Sequence, residues 1–229
     1  MHAHGTEHDL SPQGDGAHVV GDTGPALWLR TIPDAFKKTA SQFPDREAAV
    51  FPEQDVRWSW AELDREVDAL AHGLLKLGLA KGDRVGIWAP NRYEWLLTQF
   101  ATARIGLILV TINPAYRVTE VEYVLNKVGC AALVTAAHFK SSDYVGMLQE
   151  LAPELAKCAP GALSAAKLPT LKTIIRAGSD TTPGMFNFDA VVDTGRDGEA
   201  ATLDAFSATL EPDEAINIQF TSGTTGAPK

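Results

Sequence analysis

The sequence predicts an α/β fold, a largely parallel sheet with helices on both faces, and three observations predict it. Short, continuously apolar runs recur along the chain, as at 83–89, 107–112 and 130–135. Stretches with apolar residues every three or four positions stand between them. Several of those stretches close on a glycine, at Gly78, Gly106 and Gly129. Strands apolar on both faces, alternating with amphipathic helices, imply a doubly wound sheet with right-handed crossovers.

Taken in order, residues 1–25 mix His, Gly, Asp and Pro without period, and read as a disordered tail. Its histidines, His2, His4, His8 and His18, have no recurring carboxylate or Cys partner and read as solvated. Pro33, Phe36 and Ala40 outline a short helix that Phe43-Pro44 stops. Residues 47–51 and 56–58 then form a hairpin around the turn at 52–55. Ser59 and Glu62 stand at capping-box spacing, with Trp58 placed to staple onto Leu63. Leu63, Val67, Leu70, Leu74 and Leu77 follow as one core-facing stripe that Gly78 ends.

The module repeats. Strand 83–89 leads to a helix over 91–105, where Asn91 and Glu94 are the expected caps and Tyr93, Leu97 and Phe100 the inward face. Strand 107–112 leads to a helix capped by Thr119 and Glu122 and ended by Gly129. Strand 130–135 precedes a helix over about 142–151. Residues 157–170 read as a connection and 173–176 as a strand. Residues 177–213 read as largely irregular, with one short helix or strand near 188–192. An apolar strand over 215–220 then delivers the chain to its last line.

Composition narrows the function. With 229 residues, 45% hydrophobic and 21% charged, the chain is an ordinary globular polypeptide of one large domain or two small ones. A net charge of -9 argues against nonspecific nucleic-acid binding, so an anionic ligand must be held locally. Two scattered cysteines, Cys130 and Cys158, make neither a disulfide framework nor a zinc site. The longest apolar run, 105–110, is too short for a transmembrane segment. The acidic first residues, with no Lys or Arg before Arg30, suit neither a signal nor a transit peptide, and a cytoplasmic location is expected.

The chemistry gathers at Phe220-Thr221-Ser222-Gly223-Thr224-Thr225-Gly226-Ala227-Pro228-Lys229. Gly223 and Gly226 let the backbone turn closely around a ligand, and exposed amides in such a turn form a nest for phosphate oxygens. Thr221, Ser222, Thr224 and Thr225 add hydroxyl donors, and Lys229 a positive charge. The GxxxxGK[ST] pattern fails, because the two glycines are three apart and Lys229 follows Pro228. Arg117, Lys127, His72 and His138 have no partner at fixed spacing and receive no catalytic role.

This loop resembles the phosphate loop of the adenylate-forming, AMP-binding enzymes, a family of acyl-CoA synthetases, luciferases and peptide-synthetase adenylation domains. The segments Trp58 to Leu63, Gly82-Asp83-Arg84-Val85 and Gly106 to Arg117 are similar to further landmarks of that family. Asn113 to Arg117, Glu122 to Leu125 and Ile216 to Phe220 look most like the fatty-acid and medium-chain acyl-CoA synthetases. The resemblance covers about residue 26 to the end, and 26–229 reads as a partial AMP-binding N-terminal domain. It implies ATP, Mg²⁺ and coenzyme A as reactants, a fatty acid as substrate, and Thr221 as a Mg²⁺ ligand. ATP-binding residues would be Thr221, Ser222, Gly223, Thr224, Thr225, Gly226 and Lys229. It leaves room for a homo-oligomer in a full-length protein.

The family's other functional parts follow the phosphate loop and are not in this sequence. They are the aromatic-Gly-x-Thr-Glu segment, the ribose-binding acid, the hinge Arg and the Lys of the small C-terminal domain. The chain therefore reads as the N-terminal part of a synthetase, inactive alone. The alternative reading is a noncatalytic nucleotide- or acyl-binding module, or a pseudoenzyme fragment.

Overall fold

The computed structural model describes residues 24, 28–178 and 180–221. The expected tail, apart from Gly24, and the loop residues 222–229 lie outside the described residues.

The first helix, α1 (Ile32–Gln42), begins at Thr31, whose hydroxyl accepts from the Asp34 amide at 3.2 Å. Pro33 stands in its first turn, where a missing N–H costs nothing, and is buried with Phe36 and Ala40. Strands β1 (Glu47–Phe51) and β2 (Val56–Ser59) pair antiparallel as the expected hairpin, with Asp55 in the left-handed region at φ 51. Both halves of the capping box open α2 (Trp60–Lys76): the Glu62 amide donates to Ser59 Oγ at 3.3 Å, and the Ser59 amide to Glu62 Oε2 at 2.8 Å. Leu63, Val67, Leu70 and Leu74 are buried along it.

The strands that follow are β3 (Arg84–Trp88), β4 (Ile108–Thr111), β5 (Ala132–Thr135), the short antiparallel pair β6 (His138–Phe139) and β7 (Ser142–Asp143), β8 (Thr173–Arg176), β9 (Phe186–Asn187) and β10 (Asn217–Gln219). The helices are α3 (Tyr93–Arg104), α4 (Val118–Val128), α5 (Tyr144–Leu151), α6 (Phe188–Gly195) and α7 (Ala200–Ser207).

Three local expectations are corrected. Asn91 does not cap α3; the Tyr93 amide donates instead to Gln54 Oε1 at 2.9 Å, a partner 39 positions back on the hairpin turn. Helix α4 starts earlier than Thr119, because Glu120 reaches back to the Arg117 amide at 3.0 Å and fixes the first turn there. Residues 177–213 hold the short helix expected near 188–192, α6, which Asn187 Oδ1 starts by accepting from the amides of Asp189 and Ala190, and in addition an unexpected helix, α7, which buries Leu203.

The main sheet has six parallel strands in the order β10-β4-β3-β5-β8-β9. From β3 the chain steps to β4, then crosses back over β3 to β5. Right-handed crossovers in opposite directions place their helices on opposite faces. Accordingly α4 packs with α5, while α1, α2, α3, α6 and α7 pack among themselves. This is the expected doubly wound arrangement. Val85, Ile87, Leu109, Val110, Leu133, Val134, Ile174 and Ile175 are all fully or nearly fully buried, as strands covered on both faces require.

Arg84, within the Gly82-Asp83-Arg84-Val85 landmark, has a structural task. Its Nε donates to Val128 O at 2.7 Å and its Nη2 to Gly129 O at 2.8 Å, so its charge meets the carbonyl end of α4. Among the described residues no helix is long and apolar enough to cross a membrane.

Candidate functional site

In open parallel sheets, ligands bind beyond the carboxyl ends of the strands, most often where the winding direction reverses. Here that point lies between β3 and β5, and the chain's own side chains occupy it. Trp88, the last residue of β3, is wholly buried and stacks on Tyr144, with ring centres 3.8 Å apart and planes 16° from parallel. At the start of α3, Glu94 is 1% exposed and gripped by Arg92, with Nη2 to Oε1 at 2.6 Å and Nε to Oε2 at 2.8 Å. Gln54 Nε2 donates to the same carboxylate at 2.9 Å. A helix start that already holds its own carboxylate and a capped amide is a poor seat for phosphate.

Strands β4 and β10 run parallel with Thr111 opposite Gln219, so they release the chain at the same end. Two residues beyond that pair stand Asn113 and Thr221. From β4 the chain enters the turn Asn113-Pro114-Ala115-Tyr116-Arg117. Asn113 Oδ1 accepts from the Ala115 amide at 2.9 Å, and Asn113 O accepts from the Tyr116 amide at 3.0 Å. From β10 the chain enters the glycine- and hydroxyl-rich loop. Asn113 and Thr221, 108 positions apart in sequence and each in a segment singled out there, thus stand side by side.

Of the expected site residues, only Thr221 lies among the described residues; it is exposed, just past the end of β10. Ser222, Gly223, Thr224, Thr225, Gly226 and Lys229 lie outside them. An exposed hydroxyl oxygen suits a hard cation such as Mg²⁺. Among the described residues no three His, Cys, Asp or Glu side chains gather as a metal site.

Two supporting residues escaped the sequence reading. Tyr144 donates its hydroxyl to Pro114 O at 2.6 Å, and burial pushes that phenol up to about 12 against the pull of Arg117. Gln54 ties the hairpin to α3, as described. Neither carries a local signal, because each acts on a partner tens of residues away. Arg117, Lys127 and His138 are exposed. His72 is buried beneath Gly198, where a side chain would overlap the imidazole. Cys130 is buried and its thiol pushed up to about 12 by desolvation, whereas Cys158 is only half-buried.

Comparison with known proteins gives the family. The chain is 45% identical over 219 residues to the "Medium-chain acyl-CoA ligase ACSF2, mitochondrial" of Rattus norvegicus, which covers 95% of this chain and 35% of the relative. The protein of the same name from Homo sapiens is 45% identical over 220 residues, covering 96% of this chain and 36% of the relative. The chain thus spans about a third of the length of these relatives. Among solved structures, MbtA of Mycobacterium smegmatis superposes with a TM-score of 0.69 at 24% identity, over 88% of this chain and 33% of that one.

The cytoplasmic expectation is corrected by these relatives, whose names place them in mitochondria. That expectation rested on an acidic stretch at the start of the given sequence, and such a stretch is no evidence about targeting. The family model described as "AMP-binding enzyme" matches residues 36–229. By that match, the chain belongs to the AMP-binding enzyme family.

Proposed function

We propose that this chain is the nucleotide-loop portion of an ATP-dependent acyl-CoA ligase acting on a medium- or long-chain fatty acid. The observation that supports it most is the delivery of Thr221 to the carboxyl end of the sheet beside the Asn113–Arg117 turn. The identity to medium-chain ligases supports the substrate class.

A carboxylate is a poor acyl donor. The reaction begins when its oxygen attacks the α-phosphorus of ATP, forming an acyl-adenylate and releasing pyrophosphate. The thiol of coenzyme A then attacks the acyl carbon and AMP leaves. Charge develops on the departing pyrophosphate, and the loop is built to meet it. Its amides, the hydroxyls of Thr221, Ser222, Thr224 and Thr225, and Lys229 hold the β- and γ-phosphates in line. Mg²⁺, when bound, neutralises phosphate charge, and the Thr221 hydroxyl is the ligand this chain offers it. Residues 26–229 serve as a partial nucleotide-binding domain in this reading, and the chain alone is inactive.

The test is fatty-acid-dependent ATP–pyrophosphate exchange. A polypeptide of the relatives' length carrying these residues should catalyse it with fatty acids, and the 229-residue chain should not. Absence of exchange from the longer protein across a series of acids would instead favour a noncatalytic nucleotide- or acyl-binding module.

A further inference from the structure

We propose that Tyr144, seated on Trp88, is a positioning residue for the nucleotide half of the reaction: it holds the turn beside which the phosphate loop leaves the sheet. This rests on the ligase reading above. The seat is rigid. Trp88 ends the central strand β3, with β4 on one side and β5 on the other, and is itself in register with Thr135. The Tyr144 ring lies on the indole at 3.8 Å and is wholly buried. Its hydroxyl reaches one acceptor across elements, Pro114 O, at 2.6 Å.

The turn's other fixings are local. Asn113 binds the amides of Ala115 and Tyr116, and Glu120 binds that of Arg117. These set the shape of the turn, and Tyr144 sets its position against the sheet. That position matters because neighbouring strands lie only about 4.8 Å apart, and Asn113 and Thr221 stand at matching places beyond β4 and β10. A turn that slides by about 1 Å carries Asn113 away from Thr221, and ATP held at that edge is then bound less tightly. A phenol stays protonated as a donor in this setting throughout the neutral range, because burial disfavours its anion.

Two measurements on Tyr144→Phe test this, since the variant keeps the stacked ring and removes only the hydroxyl. In the 229-residue chain, amide hydrogen exchange at Ala115 and Tyr116 should quicken about tenfold, the worth of one hydrogen bond, while amides of α2 keep their rates. Unchanged rates at the turn, or equal quickening in α2, would overturn the proposal. In a polypeptide of the relatives' length, the KM for ATP in pyrophosphate exchange should rise about tenfold with the KM for the fatty acid unchanged. A lower kcat with both KM values unchanged marks fewer folded molecules and overturns it too. If the unsubstituted protein shows no exchange, the ligase reading fails and the nucleotide role with it; the amide rates still decide whether the hydroxyl holds the turn.

Discussion

Arg92 and Glu94 form a two-pronged ion pair at the mouth of α3, with the carboxylate almost wholly buried and Gln54 completing its shell. This pair joins the hairpin turn to the helix that follows the central strand. Breaking one side of a buried pair leaves the other charge without compensation, at a cost of roughly 3–5 kcal/mol. Arg92→Ala, which strands the buried Glu94 carboxylate, should therefore lower the urea midpoint markedly, and Gln54→Ala by a smaller step of about 1 kcal/mol per lost bond. Equal and negligible shifts in both would remove the pair from the account of stability.

Helices α2 and α6 approach so closely that glycine is required at their contact. A Cβ on Gly195 would overlap the carbonyl oxygen of Ala69 and crowd the Gly73 amide at 2.6 Å, and backbone cannot swing aside as a side chain can. Gly195→Ala should cost about 3 kcal/mol or more. Gly78→Ala is the control: it stands at φ +83 with nothing within 4 Å, so only backbone strain of about 1 kcal/mol applies. Chemical denaturation of the two variants should rank them in that order.

Cys130 and Cys158 should separate by reactivity. Burial pushes the Cys130 thiol up to about 12, so the folded protein keeps its proton where an unfolded thiol, near 8.5, has lost it. The sign follows: stability is complete below about pH 8.5 and declines toward pH 12, by up to about 1.4 kcal/mol per pH unit for this group. Alkylation at pH 8 should label Cys158 in the native protein and both cysteines in urea. Labelling of Cys130 at the rate of Cys158 without denaturant would contradict its burial.

How much of this was legible before the fold was known depends on how far each residue reaches. Ser59 and Glu62 act three positions apart, and both bonds of the box are present as their spacing implies. Apolar strands and helical stripes likewise carry their own signal, so the doubly wound sheet follows from them. The cap of α3 does not, because Gln54 acts across 39 residues and the nearby Asn91 has better cap chemistry. Helix α7 was missed because Leu203 is its one buried residue, too few to make a period. Tyr144 carries no local signal of its role, because its partners Trp88 and Pro114 lie 56 and 30 positions away. The glycine- and hydroxyl-rich run at 220–229 stands out in the sequence by its own residues, whereas the register of Gln219 with Thr111 shows at which end of the sheet Thr221 leaves β10.

In the proposed function, the segment from Thr221 to Lys229 serves nucleotide chemistry. In a polypeptide of the relatives' length, Lys229→Ala removes one cation from the pyrophosphate, and its effect should fall on the first half-reaction. Fatty-acid-dependent ATP–pyrophosphate exchange should lose about a hundredfold in kcat/KM for ATP, the scale of one lost charge-stabilising contact, with the thermal midpoint unchanged. Exchange kinetics equal to those of the unsubstituted protein would contradict the account.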